Sequence, residues 1–455
     1  MCGIVGVYNN KEAATIAYLS LYALQHRGQE GCGIVTYDGE NNYLEKGKGL
    51  VSDVFVDKKK IETLKGNIAL GHNRYSTHGD KSKRNIQPFS FNYKDSKLSI
   101  VHNGNLINLE KIKHQLENQG TIFQTTSDTE YFIHLFAHAE GDSFEEKALK
   151  AFKEVKGAYS IIMMYNDKML IARDQHGIRP LCIGKLGGGY IFTSETCAMD
   201  LVGATYERDV EPGEMLVIDN GNIKSYKVAE SKPRHCIFEY VYFSRPDSKI
   251  FGSSVDKARR KFGKNLAMES PVTDADIVFS VPDSSNTTAI GYSQRSEARY
   301  EIGLIRNHYI GRSFIHPSQT LRDFSVKLKF NLIDGVIRGK KIVVVDDSIV
   351  RGTTLKKLVN LIKKAEPSEI HIRIGSPPVK YPCYYGMDFP SPEELIANKK
   401  SLEELRDYFN VDSVEYLSVE SLVDSVELGK EYYCTACFTN EYVEKANCSS
   451  CGETE

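Results

Sequence analysis

The run Lys341-Ile342-Val343-Val344-Val345 leads without a break into two adjacent carboxylates, Asp346 and Asp347. An apolar run without alternation reads as a strand buried on both faces, as in a parallel sheet packed between helices. A short loop with Gly and Thr follows, Ser348-Ile349-Val350-Arg351-Gly352-Thr353-Thr354. Next comes a helical pattern over Thr354–Lys364 in which Leu355, Leu358, Val359 and Ile362 share one apolar face. The same punctuation occurs in Ile277–Val281 before Thr287–Ser293, so the chain from about residue 236 onward is expected to form an α/β parallel sheet. Carboxylates at the carboxyl end of such a strand are placed for ribose hydroxyls, and a loop at a helix N-terminus offers N–H groups to a phosphate. A solvated Asp pair in a routine turn is the plainer reading, but strand, acid pair and loop stand in register.

The preceding 230 residues follow a different grammar. Short strand-like runs, Gly3–Tyr8, Gly33–Tyr37, Ile68–Gly71, Leu98–Val101, Ser160–Tyr165, Met169–Arg173, Tyr190–Thr193 and Met215–Ile218, are broken by Gly, Asn and Asp. Helical patterns over Ala13–Leu24 and Thr129–Ala139 interleave, so this half is expected to be sheets covered by helices. Lys227–His235, charged and containing Pro233, marks a boundary, giving domains 1–230 and 231–455; acidic and apolar residues alternate at helical spacing over Ser391–Glu431, in a tail that begins near 391. The 58 basic residues balance 60 acidic ones, which argues against a nucleic-acid or membrane-surface partner, so any ligand site must be local. The start lacks the basic n-region of a signal peptide, and charges interrupt every apolar run short of the roughly 20 residues that span a bilayer. A cytoplasmic location is expected, with the ten cysteines reduced, metal-bound or nucleophilic rather than paired.

Cys2 follows a methionine whose removal a small second residue permits. The α-amine so exposed titrates near 7.7–8.0 and can serve as base for its own thiol. Arg74, in Asn73-Arg74-Tyr75-Ser76-Thr77-His78-Gly79, can grip a carboxylate. His102-Asn103-Gly104-Asn105 follows the run Leu98–Val101, and an Asn amide beside an unhindered Gly N–H is what an oxyanion hole requires. Asp128, in Thr126-Ser127-Asp128-Thr129, offers a carboxylate at a helix start, although a plain N-cap explains it equally well.

Together with Gln25-His26-Arg27-Gly28-Gln29-Glu30, these segments resemble, in order and over about the first 220 residues, the N-terminal-nucleophile αββα glutaminase domain of class II glutamine amidotransferases. The resemblance implies that Cys2 attacks the glutamine amide, that Asn103 and Gly104 hold the oxyanion, and that Arg74, Thr77, His78 and Asp128 bind glutamine. Lys341–Thr354 is in turn similar to the phosphoribosylpyrophosphate (PRPP) motif of type I phosphoribosyltransferases. Ser280-Val281-Pro282-Asp283-Ser284, Leu304–Phe314 and Phe238–Ser248 resemble the amidophosphoribosyltransferases, over nearly the whole chain. That family opens de novo purine synthesis, displacing pyrophosphate from PRPP with ammonia from glutamine to give 5-phosphoribosylamine.

By this resemblance Asp346 and Asp347 hold the ribose, and Ser348, Arg351, Gly352, Thr353 and Thr354 bind the 5-phosphate. Ser284, with Asp346 and Asp347, belongs to the pyrophosphate and Mg²⁺ site, and Arg312–Lys329 is a lid whose Lys327 and Lys329 reach PRPP. A homotetramer under purine-nucleotide feedback is implied too. Two segments depart from the family. Ser285-Asn286-Thr287-Thr288 stands where Gly and Pro are usual, which removes Gly's freedom at φ > 0, and Arg306 replaces a Lys in a segment linked to nucleotide inhibition.

Cys434, Cys437, Cys448 and Cys451 form C-x2-C-x10-C-x2-C, which on spacing alone reads as a Zn²⁺ ribbon or a rubredoxin-like site. Cys236, Cys383, Cys434 and Cys437 instead resemble the ligands of the [4Fe-4S] cluster in one branch of the amidophosphoribosyltransferases, and thiolates from distant segments suit a cluster. The cluster set is preferred because the zinc set leaves Cys236 and Cys383 without a role, while Cys32, Cys182 and Cys197 read as core residues. Two other classes fit less well. A non-catalytic PRPP sensor has no use for an intact glutaminase set. A nucleic-acid-binding zinc ribbon would need more than Lys445, the one basic residue between 434 and 451.

Overall fold

The strand Gly3–Tyr8 is buried at every position because its faces meet two different layers. Val5 and Val7 pack on the helix Ala13–Ala23, whereas Ile4 and Tyr8 pack against a second sheet. Gly6 lets the two sheets approach, since a Cβ there would lie 3.1 Å from Ile162 Cγ2. This computed structural model describes residues 1–76, 82–307, 329–389 and 391–444.

The first sheet has seven strands in the order Thr205–Asp209, Cys182–Leu186, Gly189–Thr193, Gly3–Tyr8, Ile68–Arg74, Gly31–Tyr37, Asn42–Lys48. The second has six, in the order Asn222–Lys227, Glu214–Asp219, Lys168–Arg173, Gly157–Tyr165, Ser96–Leu106, Phe89–Tyr93. Helices Leu109–Asn118, Asp128–His138 and Phe144–Glu154 cover the outer face of the second sheet through Leu116, Phe132, Phe136 and Phe152. The result is the αββα sandwich that the family resemblance implies. One element differs: His102–Asn105 does not follow its strand but lies within it, because pairing with Gly157–Tyr165 carries the ladder through to Leu106. Tertiary pairing here overrides the low strand propensity of Asn and Gly.

In the second half, strands Arg299–Tyr300, Ile277–Ser280, Lys341–Asp346, Glu369–Ile374 and Ser413–Tyr416 form one parallel sheet in that order. Val343 and Val345 face the helix Val255–Glu269, while Ile342 and Val344 face the helix Thr353–Ile362. The tail forms helices Leu402–Phe409 and Val419–Asp424, as expected from its spacing, but contributes the edge strand Ser413–Tyr416 between them.

The halves share a core. Met1, Ala158 and Ile178 pack in the same cluster as Phe238, Tyr240, Phe251, Tyr385 and Tyr433. Cys236 pairs in parallel register with Cys434, nearly two hundred residues later. Arg27, fully buried, bridges Glu195 and Glu239, and Arg179 lies 3.5 Å from the same Glu239.

Candidate functional site

Cys2 opens onto a small cleft lined by Arg74, His102, Gly104 and Asp128. Its N–H donates to Asn103 Oδ1 at 2.9 Å, and its carbonyl accepts from Arg27 Nε at 3.0 Å. Asn103 is fully buried, and its Nδ2 has no hydrogen-bond partner among the described residues. Such an atom is costly unless a ligand oxygen completes it. Strand geometry sets this arrangement: Gly3 pairs with Asn73, which puts Arg74 at the strand end beside Cys2. Asp128 begins a helix whose N-cap is Ser127 and accepts from Leu106 N–H at 3.1 Å. His72 is buried in the cleft, and burial, then the Arg74 charge, pushes its pKa down to about 3. Thr77 and His78 lie outside the described residues.

Two further cleft residues, like His72, carried no sequence signal. Gln87 Oε1 accepts from His102 N–H at 2.7 Å, and Asn85 exchanges hydrogen bonds with Thr126 at 2.7 and 3.0 Å. They tie the segment before Phe89 to the strand and loop that carry the predicted residues.

A larger cavity of about 980 Å³ lies over the carboxyl end of the parallel sheet. Asp346, Asp347, Ser348, Arg351, Gly352, Thr353 and Thr354 line it, as do Ser284 and Lys329, so the structure gathers those predicted residues. Lys327, with the rest of the expected lid before Lys329, lies outside the described residues. Asp346 Oδ1 accepts from Ser285 Oγ and Asp347 N–H, and Asp347 accepts from Ser284 and Ser348 hydroxyls. Burial and the neighbouring Asp347 charge push the Asp346 carboxyl well up, which is relieved by a cation placed between the two. These oxygen donors fit a hard divalent ion such as Mg²⁺.

The Ser285 substitution costs no strain: its φ is −93°, which any L-residue adopts, and its hydroxyl holds Asp346. Positive φ is needed instead at Gly352, where it is +73° and the phosphate-type loop enters the helix. Arg306 donates to Asp283 at 2.7 Å, next to the Pro282–Asp283 cis peptide. Sequence reasoning missed Arg259, which lines the cavity from the helix Val255–Glu269 and is anchored to the Tyr240 and Ser244 carbonyls. Burial draws its pKa down to about 10. His26 also lines this cavity while its neighbour Arg27 holds Cys2, so consecutive residues touch both sites.

Cys236, Cys383, Cys434 and Cys437 line one further, largely apolar cavity with Ile178, Phe238 and Tyr385. Burial pushes the Cys236 thiol up to about 11 and Cys434 up to about 12, with Cys437 well above its ordinary value. No three His, Cys, Asp or Glu among the described residues are grouped to hold a single metal ion. Four thiols opening on one cavity beside the fixed Arg179 guanidinium do fit a larger thiolate-held group. Cys448 and Cys451 lie outside the described residues. Cys32, Cys182 and Cys197 are buried in the core, as expected.

A cysteine held by a buried asparagine whose amide donor is unfilled, on a two-sheet sandwich joined to an acid pair over a phosphate-type loop, defines a glutamine amidotransferase coupled to a phosphoribosyltransferase. The glutamine amidotransferase domain family matches residues 72–200, and the phosphoribosyl transferase domain family matches residues 266–374. Amidophosphoribosyltransferase 2, chloroplastic, of Arabidopsis thaliana is 48% identical over 448 residues, covering 98% of this chain and 79% of its own. The solved glutamine PRPP amidotransferase from B. subtilis, complexed with ADP and GMP, superposes with a TM-score of 0.92 at 45% identity, covering 98% of each chain. A structure described as the allosteric regulatory enzyme of purine biosynthesis superposes at 0.93, also 45% identical, covering 98% of this chain and 97% of that one. The chain belongs to the amidophosphoribosyltransferase family. Its reaction transfers ammonia from glutamine to PRPP, giving 5-phosphoribosylamine, glutamate and pyrophosphate, the first step of purine biosynthesis. No helix among the described residues is long and apolar enough to cross a membrane.

Proposed function

We propose that residues 1–230 are the glutaminase and 231–455 the phosphoribosyltransferase, with the roles below. Removal of Met1 turns the Cys2 nitrogen, held by Asn103 Oδ1, into the α-amine that takes the thiol proton. The thiolate attacks the glutamine amide, while Asn103 Nδ2 and the Gly104 N–H receive the oxyanion. The α-ammonium returns that proton to the leaving nitrogen, ammonia departs, and water then releases glutamate from the thioester. Arg74 grips the substrate carboxylate and Asp128 its ammonium, with Thr77 and His78 also binding glutamine. The buried Asn103 Nδ2, without a partner beside Cys2, carries this assignment.

In the second half Asp346 and Asp347 orient the ribose. Ser348 and Arg351–Thr354 hold the 5-phosphate, and Lys327 and Lys329 close on PRPP. Mg²⁺ at Ser284, Asp346 and Asp347 supplies charge neutralisation for the pyrophosphate leaving group. Cys236, Cys383, Cys434 and Cys437 hold a [4Fe-4S] cluster that ties the tail to the core, in preference to Zn²⁺ at Cys434, Cys437, Cys448 and Cys451. A cytoplasmic homotetramer under nucleotide feedback completes the reading, on the resemblance alone. In anaerobically prepared enzyme, PRPP-dependent release of both glutamate and pyrophosphate is expected, abolished for glutamine but not for ammonia by Cys2→Ala. Iron and sulfide should be present and survive Cys448→Ser and Cys451→Ser. Zinc without sulfide, or metal loss in those two variants, refutes the cluster.

A further inference from the structure

The glutaminase cleft is lined by its own half, but one of its lining residues, Gly104, is backed by the other half. Gly104 is pressed on one side by the strand Gly157–Tyr165, where an added Cβ would meet Ala158 O at 2.0 Å. On the other side stands Gly386, from the loop that begins at Cys383. A Cβ on Gly386, whose φ is +101°, would lie 3.2 Å from both the carbonyl carbon and oxygen of Gly104. The next residue, Asn105, donates its Nδ2 to Tyr384 O at 2.9 Å across 279 residues of sequence. Arg179, fully buried, donates Nε to Tyr385 O at 2.9 Å and adds a second bond from Nη2. Tyr384 and Gly386 thus meet the strand that bears the oxyanion donors, and Tyr385 between them is held by Arg179 from elsewhere in the glutaminase half.

We propose that the loop Cys383–Gly386 is a positioning element of the glutaminase, fixing Gly104 through Gly386 and the Asn105–Tyr384 hydrogen bond. The proposal rests on Gly104 and Asn103 being the oxyanion hole, and it adds a contribution from the other half of the chain. Oxyanion donors act on charge that exists only in the transition state, so their displacement lowers kcat and leaves ground-state binding of glutamine intact. A methyl on Gly386 must push Gly104 by a few tenths of an ångström, because its contacts at 3.2 Å are inside ordinary carbon separations.

The test uses the full enzyme, prepared anaerobically, with Gly386→Ala and the isosteric Asn105→Asp, which removes the amide donor. Glutamine-dependent kcat is expected to fall about tenfold, with KM for glutamine within about twofold. Ammonia-dependent turnover and metal content should stay at the wild-type level, and Asn105→Gln, which keeps an amide, should recover part of the loss. If the loop is merely structural, both modes of turnover fall together. That outcome, or an unchanged glutamine kcat in Asn105→Asp, overturns the proposal, and Asn105→Asp decides alone should Gly386→Ala fail to fold. Asn103→Ala reports separately on the oxyanion assignment: a large loss there with none in the loop variants removes the loop's positioning role and keeps the hole.

Discussion

Replacing Asn103 with alanine should separate the two halves of the reaction cleanly. The side chain does two things: its Nδ2 is the unfilled donor, and its Oδ1 accepts from the Cys2 nitrogen at 2.9 Å. Loss of one oxyanion donor costs about 10²–10³ in kcat, roughly 2.7–4 kcal/mol. Loss of the half-buried anchor on the Cys2 nitrogen adds about 1 kcal/mol, a further factor of about five. Glutamine-dependent turnover should therefore fall by about three orders of magnitude. The KM for glutamine should barely move, because neither interaction binds the ground-state amide. Initial rates of glutamate release across a glutamine series, at saturating PRPP, measure both constants. Turnover with ammonia in place of glutamine is the internal control and should be retained. Asn103→Asp should be at least as damaging, since it sets a carboxylate beside the developing oxyanion. A raised KM with intact kcat would show that Asn103 binds substrate rather than transition state, and the assignment would fall.

Arg27→Met should destabilise the fold by about 3–5 kcal/mol, read from denaturant midpoints, because Glu195 and Glu239 lose the buried cation between them. Stability should also fall with acid. Burial holds His72 neutral, with its pKa about 3 against about 6.5 unfolded, so the unfolded chain binds the extra proton and stability is lost as pH drops from about 6.5 toward 3. Glu195 acts in the same direction lower down: burial raises its pKa, but the His26 and Arg27 charges outweigh burial and hold it far below the carboxylate range. His72→Gln should flatten the upper part of that window in unfolding curves taken between about pH 4 and 8. Asp347→Asn should raise KM for PRPP about tenfold or more with either nitrogen donor, a single lost charge-assisted contact being worth that much. An effect confined to the glutamine-dependent assay would refute its placement at PRPP.

Much of both sites was legible because each is assembled from short segments that carry local signatures of their own. Lys341–Asp346 shows no alternation of apolar and polar residues, which marks a strand buried on two sides, and the Gly352 turn into a helix marks the phosphate-type loop. Short runs punctuated by Gly and Asn pointed to sheets covered by helices, and the resemblance to class II glutamine amidotransferases implied the two-sheet sandwich. What stayed hidden depends on distant pairing. His102–Asn105 looks like a loop by composition and is a strand only because Gly157–Tyr165 lies beside it. Ser413–Tyr416 is too short and polar to announce itself, and it becomes a strand by adding to the edge at Glu369–Ile374. Arg259 sits in a helix with other basic residues, and nothing local distinguishes the one that turns inward. The contact of Asn105 with Tyr384 spans 279 residues and leaves no pattern at either end.

The parallel pairing of His235–Cys236 with Tyr433–Cys434 also constrains how the chain is made. At about 5–20 residues per second, a ribosome needs roughly 10–40 s to travel from the first of these segments to the second. Throughout that interval the apolar surface formed by Met1, Ala158 and Ile178 lacks the tail residues Tyr433 and Phe438 that share its cluster. The nascent amino-terminal half is therefore sticky for tens of seconds, an obvious client for a chaperone. Premature termination before residue 433 should yield aggregate rather than a free-standing glutaminase.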